Sequence, residues 1–332
     1  MKNTTLKDLS KLLNLSVSTI SKALNDSLEI SEITKNRVKE AARKTNYRPN
    51  PLALSLKKGK SKTIGVVIPS VLDRFSAKLF IGIEKVAYSK GYNAILSTSN
   101  YSKEREAHNI DILLEKGVDG IIVSLTDETL TLQDYSHIQR AENRRVSTVL
   151  ANKVPEDLIF NKVSIDFYKE AYNAIKNLEI VHKESVIVVD SFSNEMYLDK
   201  RKKGILDALE SSHAIADYEV MKSNGEESFA SAVIKKVKEN TNTTLIVMNQ
   251  YLLETILVFK GTRKLLDQDS LFIYGFSNRK STFEAMKGVQ PISQRGKFLG
   301  EKSAELLISQ LEDYKEGVHA ISLDSIGKKI YE

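Results

Sequence analysis

The sequence contains no cysteine. Structural disulfides and thiolate metal sites are thereby excluded, and the composition fits a reducing compartment, so a cytoplasmic location is expected. Long apolar runs are missing as well. Nothing approaches the roughly 20 consecutive apolar residues that a membrane-spanning helix needs, and no membrane partner is expected. The N-terminal leucines fall at helical spacing, without the unbroken apolar stretch of a secretory signal. The motifs of the common enzyme classes are also absent: no Gly-x-Gly-x-x-Gly, no Gly-x-x-x-x-Gly-Lys-Ser/Thr, no His-Glu-x-x-His and no Gly-x-Ser-x-Gly elbow. The five histidines (His108, His137, His182, His213 and His319) are scattered without ligand spacing. No catalytic residue, metal or cofactor is expected, and no internal repeat or low-complexity tract occurs.

What is present is an ordinary globular composition, 41% hydrophobic and 28% charged, over 332 residues. That length implies two or three domains. Charge is unevenly spread. Residues 1–62 hold fourteen lysines and arginines against five acidic residues, a net of +9; the chain as a whole carries +6, which leaves −3 for residues 63–332. A basic head on a slightly acidic body is the electrostatic footprint of a phosphate-binding module, although most charge runs are merely solvated faces.

Within the head, Val17, Ile20, Ser21 and Leu24 fall at i, i+3, i+4 and i+7, one face of a helix. Ser18, Lys22 and Asn25 take the opposite face. Ser16 precedes the helix and is suited to cap it. An earlier helix starts with a Thr5/Asp8 capping box and carries Leu6, Leu9, Leu12 and Leu13 on its apolar face. Asn14 and Leu15 make the tight turn between the two. This is the helix-turn-helix pattern, whose second helix enters the DNA major groove; many short amphipathic helix pairs bind no nucleic acid. A third helix runs from Ser31 to about Asn46, with Ile33, Val38, Ala41 and Ala42 inward and Lys35, Arg37, Lys39, Arg43 and Lys44 outward. Pro49 and Pro51 break it. Leu52–Lys60 then reads as a short helix candidate, ended by Gly59, and a basic linker.

From Thr63 onward strands and helices alternate. Ile64–Pro69 is a buried apolar run, followed by helix, strand 93–97, helix 104–116, strand 118–123 and strand 146–150. A second alternating series begins at Val163. Such alternation means parallel sheets with helices on both faces. The expected fold class is therefore α/β, with an all-α helix-turn-helix head.

Thr5–Leu9, the Val17–Asn25 helix, Asn46–Asn50 and the Leu52–Leu56 segment together resemble the head of the lactose-repressor (LacI/GalR) family of bacterial transcription regulators, with the family's spacing kept without a gap. The body resembles the family's as well. The resemblance implies a helix-turn-helix domain over 1–49, a hinge helix and linker over 50–62, and an effector-binding and dimerisation body over 63–332. That body would be like a periplasmic binding protein, with one subdomain at about 63–160 and 292–322 and the other at about 161–291. It also implies a homodimer on a palindromic double-stranded DNA operator. No terminal leucine heptads follow Ile321–Asp324, so no tetramerising tail is expected.

By the same resemblance, Val17, Ser18 and Lys22 face base edges. Lys22 stands where an arginine is more usual, and as a point donor it should discriminate guanine less sharply. Thr5, Ser16, Thr19, Ser21, Asn25 and Ser31 would bond the DNA backbone; Thr19 and Ser21 are equally suited to helix packing. Asn50, Ala53, Leu56 and Lys57 would form the minor-groove hinge, Leu56 as the wedge that kinks the duplex, unless the hinge leucines pack the linker onto the body. Effector binding is implied for Asp73, Phe75, Asn152, Asp166, Arg201, Asn249, Ser277 and Asn278. Asp166 is equally placed to cap a helix; the lesser alternative for Arg201 is a surface cation among Lys200, Lys202 and Lys203. The pocket departs from the family: amides and a hydroxyl at Asn152, Asn249–Gln250 and Ser277–Asn278 replace its carboxylates. Arg201 would then lack a carboxylate partner, and the pocket would accept an acidic sugar or sugar phosphate, the rival being a neutral saccharide held by amides. Pro291–Gln294 matches the family's crossover only in compressed form. Two other readings stand beside this one: a transport-linked binding protein, which would need a secretion signal in place of the head, and a constitutive DNA-binding protein with a degenerate pocket.

Overall fold

The computed structural model describes residues 4–47, 59–178, 185–190, 196–212, 218–223, 228–240, 242–277, 286–313 and 317–323. The hinge residues Asn50, Ala53, Leu56 and Lys57, and Asn278 of the expected pocket, lie outside them. The chain divides into two compact units, Met1–Lys62 and Thr63–Glu332.

The first unit holds three helices: α1 (Leu6–Leu13), α2 (Val17–Leu24) and α3 (Glu32–Lys44). Each is started by a hydroxyl that satisfies an orphan backbone N–H. Thr5 and Asp8 form the reciprocal capping box of α1, Ser16 accepts from the Thr19 amide, and Ser31 from the Thr34 amide. Asn14 ends α1 in the left-handed conformation (φ 52°) and turns the chain into α2. Leu9, Leu13, Ile20, Ala23, Val38, Ala41 and Ala42 form the core. The inward faces differ from expectation at several points. Ile33 is 84% exposed and Lys35 only 5%. At about 100° per residue, Ile33 lies some 140° around the helix from Val38, whereas Lys35 lies about 60° away. The Lys35 stem is buried while its ammonium reaches Glu32 at 2.7 Å. Leu12 sits at the edge of the α1 stripe and is exposed. Ala23, not Val17, completes the buried face of α2.

The second unit is built on two all-parallel sheets. The first contains β1 (Thr63–Ile68), β2 (Asn93–Thr98), β3 (Gly120–Val123), β4 (Ser147–Asn152), β5 (Asn161–Ile165) and, near the end of the chain, β11 (Ala320–Leu323), in the order β11-β5-β4-β3-β1-β2. The second contains β6 (Ser185–Asp190), β7 (Tyr218–Lys222), β8 (Thr243–Val247), β9 (Leu271–Phe276) and β10 (Val289–Ile292), in the order β10-β9-β8-β6-β7. Helices α4 (Arg74–Ser89), α5 (Lys103–Glu115), α6 (Asp127–Leu132), α7 (Ser136–Asn143) and α13 (Gly296–Glu312) cover the first sheet. The second is covered by α8 (Phe167–Lys176), α9 (Met196–Glu210), α10 (Ser228–Glu239), α11 (Gln250–Val258) and α12 (Thr262–Asp267). Each sheet has an apolar cluster on both faces, which is why the central strands read as continuous apolar runs.

The switch between halves was expected at about residue 161. It falls one strand later: β5 pairs with β4 and β11 in the first sheet, and the chain crosses at Asp166. Several elements escape a reading by apolar runs: the edge strand β7, Tyr-Glu-Val-Met-Lys, with mixed burial, the short helices α6, α7 and α12, and α13 with its flanking strands β10 and β11.

Two close helix approaches shape the body. A Cβ at Gly82 or Gly300 would lie 2.0 Å from the carbonyl oxygen of Lys297 or Leu79 respectively, so α4 and α13 touch backbone to backbone. A Cβ at Gly204 would lie 2.2 Å from the Tyr168 carbonyl oxygen, between α8 and α9. Gly300→Ala should therefore lower the unfolding free energy by about 1–3 kcal/mol despite alanine's better helix propensity. Chemical denaturation checks this, as a lower midpoint with unchanged slope.

Candidate functional site

In the head, Ser18 and Lys22 project from the face of α2 opposite Ile20 and Ala23, and Val17, at the start of the helix, is 40% exposed. The three residues expected to face base edges thus share the open side of one helix. Ser16 bonds the hydroxyls of Ser18 and Thr19, both at 2.8 Å. Asn25 donates to the Ser21 carbonyl at 2.7 Å. Thr5, Ser16 and Ser31 serve as helix caps, which puts each at a helix N-terminus, where backbone N–H groups favour anions. Lys22 is ion-paired with Glu29. The basic face of α3 is less open than its sequence suggests: Lys35 is buried, Arg37 donates to the Leu13 carbonyl at 3.1 Å, Lys39 pairs with Asp26 and Lys44 with Glu40.

In the body, a cleft of about 440 Å³ opens at the carboxyl ends of the strands of both sheets. This is where parallel α/β sheets bind ligands. The first half contributes Asp73 and Phe75 at the start of α4, Tyr101 after β2, Ser124, Leu125 and Asp127 after β3, and Asn152 and Lys153 at the end of β4. The second half contributes Phe167, Tyr197, Leu198, Arg201, Asn249, Gln250, Tyr251 and Glu254. Five of the expected effector residues therefore line one cavity: Asp73, Phe75, Asn152, Arg201 and Asn249. Asp166 does not; it caps α8, accepting from the Lys169 amide at 3.0 Å. Ser277 is also outside the lining, buried behind it with its amide bonded to the Ile292 carbonyl at 3.0 Å.

Several lining carboxylates and amides are already engaged. Asp73 accepts from the Ser76 amide at 2.9 Å and the Ser76 hydroxyl at 2.6 Å. Asn249 accepts from the Leu252 amide at 2.9 Å, capping α11. Asn152 holds left-handed backbone (φ 80°), which turns the chain across the cleft mouth into Lys153. The Lys153 ammonium reaches Asp127 at 2.7 Å and the Tyr197 hydroxyl, and lies 3.8 Å from the centre of the Tyr197 ring. Lys200 pairs with Glu156 at 2.5 Å. Both contacts join the two halves of the body.

Arg201 is 2% exposed. Its Nη1 donates to the Met248 carbonyl at 2.9 Å and its Nη2 to Glu170 at 3.1 Å. The guanidinium carbon lies 4.4 Å from the Phe276 ring centre and 5.3 Å from that of Phe167. Among the described residues Nε has no hydrogen-bond partner. The expectation that Arg201 lacks a carboxylate is therefore overturned. Its partner lies on α8, thirty-one positions away, and not in the strand-end loops where a carboxylate was sought. Burial pushes the Glu170 carboxyl above its ordinary pKa, and the Arg201 guanidinium pulls it partly back. With Asp73, Asp127 and Glu254 in the lining and Glu170 behind Arg201, the cleft is not the cationic pocket that the missing carboxylates suggested. Sequence reasoning also missed Tyr101, Lys153, Tyr197 and Tyr251. Their signal was present in part: each follows the end of a strand or begins a helix at a strand's carboxyl end.

Among the described residues no cluster of histidine, aspartate and glutamate could hold a metal ion, and no helix is long and apolar enough to cross a membrane.

A helix-turn-helix head and a body of two parallel α/β halves around a strand-end cleft define the architecture of a DNA-binding regulator. Comparison with known proteins names the family. Residues 5–50 match the model of bacterial regulatory proteins of the lacI family, and residues 61–250 that of periplasmic binding proteins and the sugar binding domain of the LacI family. The chain belongs to the LacI family; it is a DNA-binding transcriptional regulator with a body of the sugar-binding type. It is 29% identical over 325 residues to catabolite control protein A of Priestia megaterium, covering 93% of this chain and 96% of that one. To the HTH-type transcriptional repressor PurR of Aliivibrio salmonicida it is 25% identical over 313 residues, covering 93% and 92%. The fold is also that of the lac repressor dimer bound to operator and the anti-inducer ONPF, with a TM-score of 0.73 at 17% identity and 97% of each chain covered.

Removing one partner of the buried pair should be costly. Glu170→Gln is expected to destabilise the protein by about 3–5 kcal/mol in urea unfolding, and a paired apolar replacement, Glu170→Leu with Arg201→Met, to recover much of that loss.

Proposed function

We propose that this regulator acts in the cytoplasm as a homodimer on a palindromic operator, and that a small neutral saccharide in the cleft sets its affinity for DNA. The observation that carries the ligand reading is the cleft lining, in which buried Arg201, its charge matched by Glu170, stands beside aromatic rings and amides. A guanidinium already neutralised by Glu170 donates well to a hydroxyl oxygen and has no charge left over for a phosphate. Phe75, Phe167, Tyr197 and Tyr251 offer apolar faces for a sugar ring, and Asn152, Asn249 and Gln250 offer both donors and acceptors for its hydroxyls. An acidic ligand would meet Asp127 and Glu254 in the same cavity.

The dimer reading has its own support. The edge strand β2 carries the exposed Ile95, and the helix packed against it, α4, carries Ile81 and Tyr88, the latter 80% exposed. An uncovered sheet edge flanked by apolar side chains is a surface that proteins usually pair. Two linked heads on one palindrome gain affinity through effective concentration, with half-sites set about one or more helical turns apart. The head would be positioned by the hydroxyl caps on the phosphates and would read bases through Val17, Ser18 and Lys22. The hinge at Asn50, Ala53, Leu56 and Lys57 would enter the minor groove between half-sites, as the family resemblance implies.

Two outcomes are expected. Thermal unfolding of the full chain against neutral sugars and their matched acids and phosphates should give a stabilisation of about 2.7 kcal/mol at a hundredfold excess over Kd for a neutral member. A shift only with anionic members refutes the neutral pocket; no shift across a broad panel favours a constitutive or partner-controlled regulator with a degenerate pocket. Ile95→Lys with Tyr88→Glu should yield a monomer in sedimentation that binds a palindromic duplex at least tenfold more weakly than the parent. A dimer unaffected by both changes places the interface elsewhere.

A further inference from the structure

We propose that Glu29 is a specificity-determining residue, which holds the Lys22 ammonium on the base-reading face of α2 and keeps it off the phosphates. The proposal rests on the reading of Lys22 as a base reader.

The geometry begins at the end of α2. The Asp26 amide donates to the Ala23 carbonyl at 3.3 Å and the Ser27 amide to the Lys22 carbonyl at 3.0 Å, with Asp26 in the left-handed conformation (φ 53°). This closure folds the following loop back along the last turn of the helix. The loop is held there by the Ile30 amide on the Ser27 carbonyl at 3.2 Å and by the ion pair of Asp26 with Lys39 on α3. Glu29, in this loop, then meets Lys22. Both partners are exposed, and exposed pairs of this kind add little to folding.

A carboxylate on this surface opposes the approach of phosphates, in a unit that otherwise carries a large positive excess. Its position against Lys22 has a specific consequence. A lysine ammonium is a compact charge on a flexible stem and binds any phosphate within reach, whereas an arginine fork is pre-organised for guanine. Glu29 supplies the missing organisation from outside. It occupies one ammonium donor, fixes the stem, and leaves the other donors for guanine O6 and N7. The neutral pair has little to gain from a phosphate and releases few counterions there, so Lys22 adds to base preference more than to non-specific affinity.

The test uses the full chain, a pool of duplexes with a randomised core sequenced after selection, and a salt titration on one duplex of unselected sequence. Glu29→Gln, which keeps the size and removes the charge, should bind the unselected duplex several-fold more tightly at low salt. The slope of log affinity against log salt should steepen by about one, as for one more phosphate contact. Preference at one base position of each half-site should fall about tenfold. Glu29→Asp, which keeps the charge, should retain the parent's salt slope. On a Lys22→Ala background Glu29→Gln should change the base preference no further. The proposal is overturned if Glu29→Gln keeps both the slope and the preference, or if its effects persist in full without Lys22. Lys22→Ala with an unchanged selected sequence would refute the base-reading role itself, and the proposal with it; an altered sequence there, with none for Glu29→Gln, removes the proposal alone.

Discussion

The buried guanidinium of Arg201 organises the second half of the body. A charge with no water around it is tolerated only when its hydrogen bonds are met and its charge is balanced. Glu170 supplies the balance from α8, the Met248 carbonyl supplies an acceptor at the end of β8, and the Phe276 ring covers one face. One side chain thus ties two helices to the middle of the second sheet. Gly204, three residues on in α9, allows the backbone approach to α8 that brings Glu170 within reach. The first sheet has a comparable tie of its own: buried Glu106 accepts from the Thr126 amide, the Thr129 hydroxyl and His137, fixing the loop that carries Asp127 to the cleft.

Much of the head was legible because its determinants are local. Thr5, Ser16 and Ser31 each meet a backbone N–H three residues on, and such a contact depends on spacing alone. Ile33 and Lys35 were misplaced for a related reason. Hydrophobicity argued for the isoleucine, but the rotation of α3 was set by Val38 and Ala42 packing on α1 and α2, and a lysine stem is apolar enough to follow. In the body, the order of strands and helices could be read from apolar runs, since strands buried on both faces have little choice of residue. The edge strand β7 could not, because an edge tolerates polar residues.

The cleft was half legible. Asp73, Phe75, Asn152 and Asn249 end strands, follow them or begin helices, and the alternation of elements sends such positions to one side of the sheets; Arg201 joins them from the second turn of α9. What spacing does not encode is which of them are already occupied. Asp166 and Asn249 cap helices, and Glu170 reaches Arg201 from a helix face with no motif around it. The premise of an unpartnered Arg201 failed at that step: it counted carboxylates in the strand-end loops and not those the tertiary fold brings to the same guanidinium.

The chemistry of the contacts across the cleft bears on the proposed control by a ligand. Lys153 with Tyr197 and Lys200 with Glu156 are polar contacts at or near the protein surface. Water competes for such groups, so opening the cleft replaces one set of hydrogen bonds with another and exposes little apolar surface. Under the proposed control by a ligand, a modest preference for one arrangement of the halves would set the population, about 1.4 kcal/mol for each factor of ten. An apolar seam at the same place would favour one arrangement too strongly for a small molecule to reverse. The cleft places Arg201 and Tyr251 on one side and Asp73 and Lys153 on the other, so the proposed ligand would touch both halves against weak polar contacts.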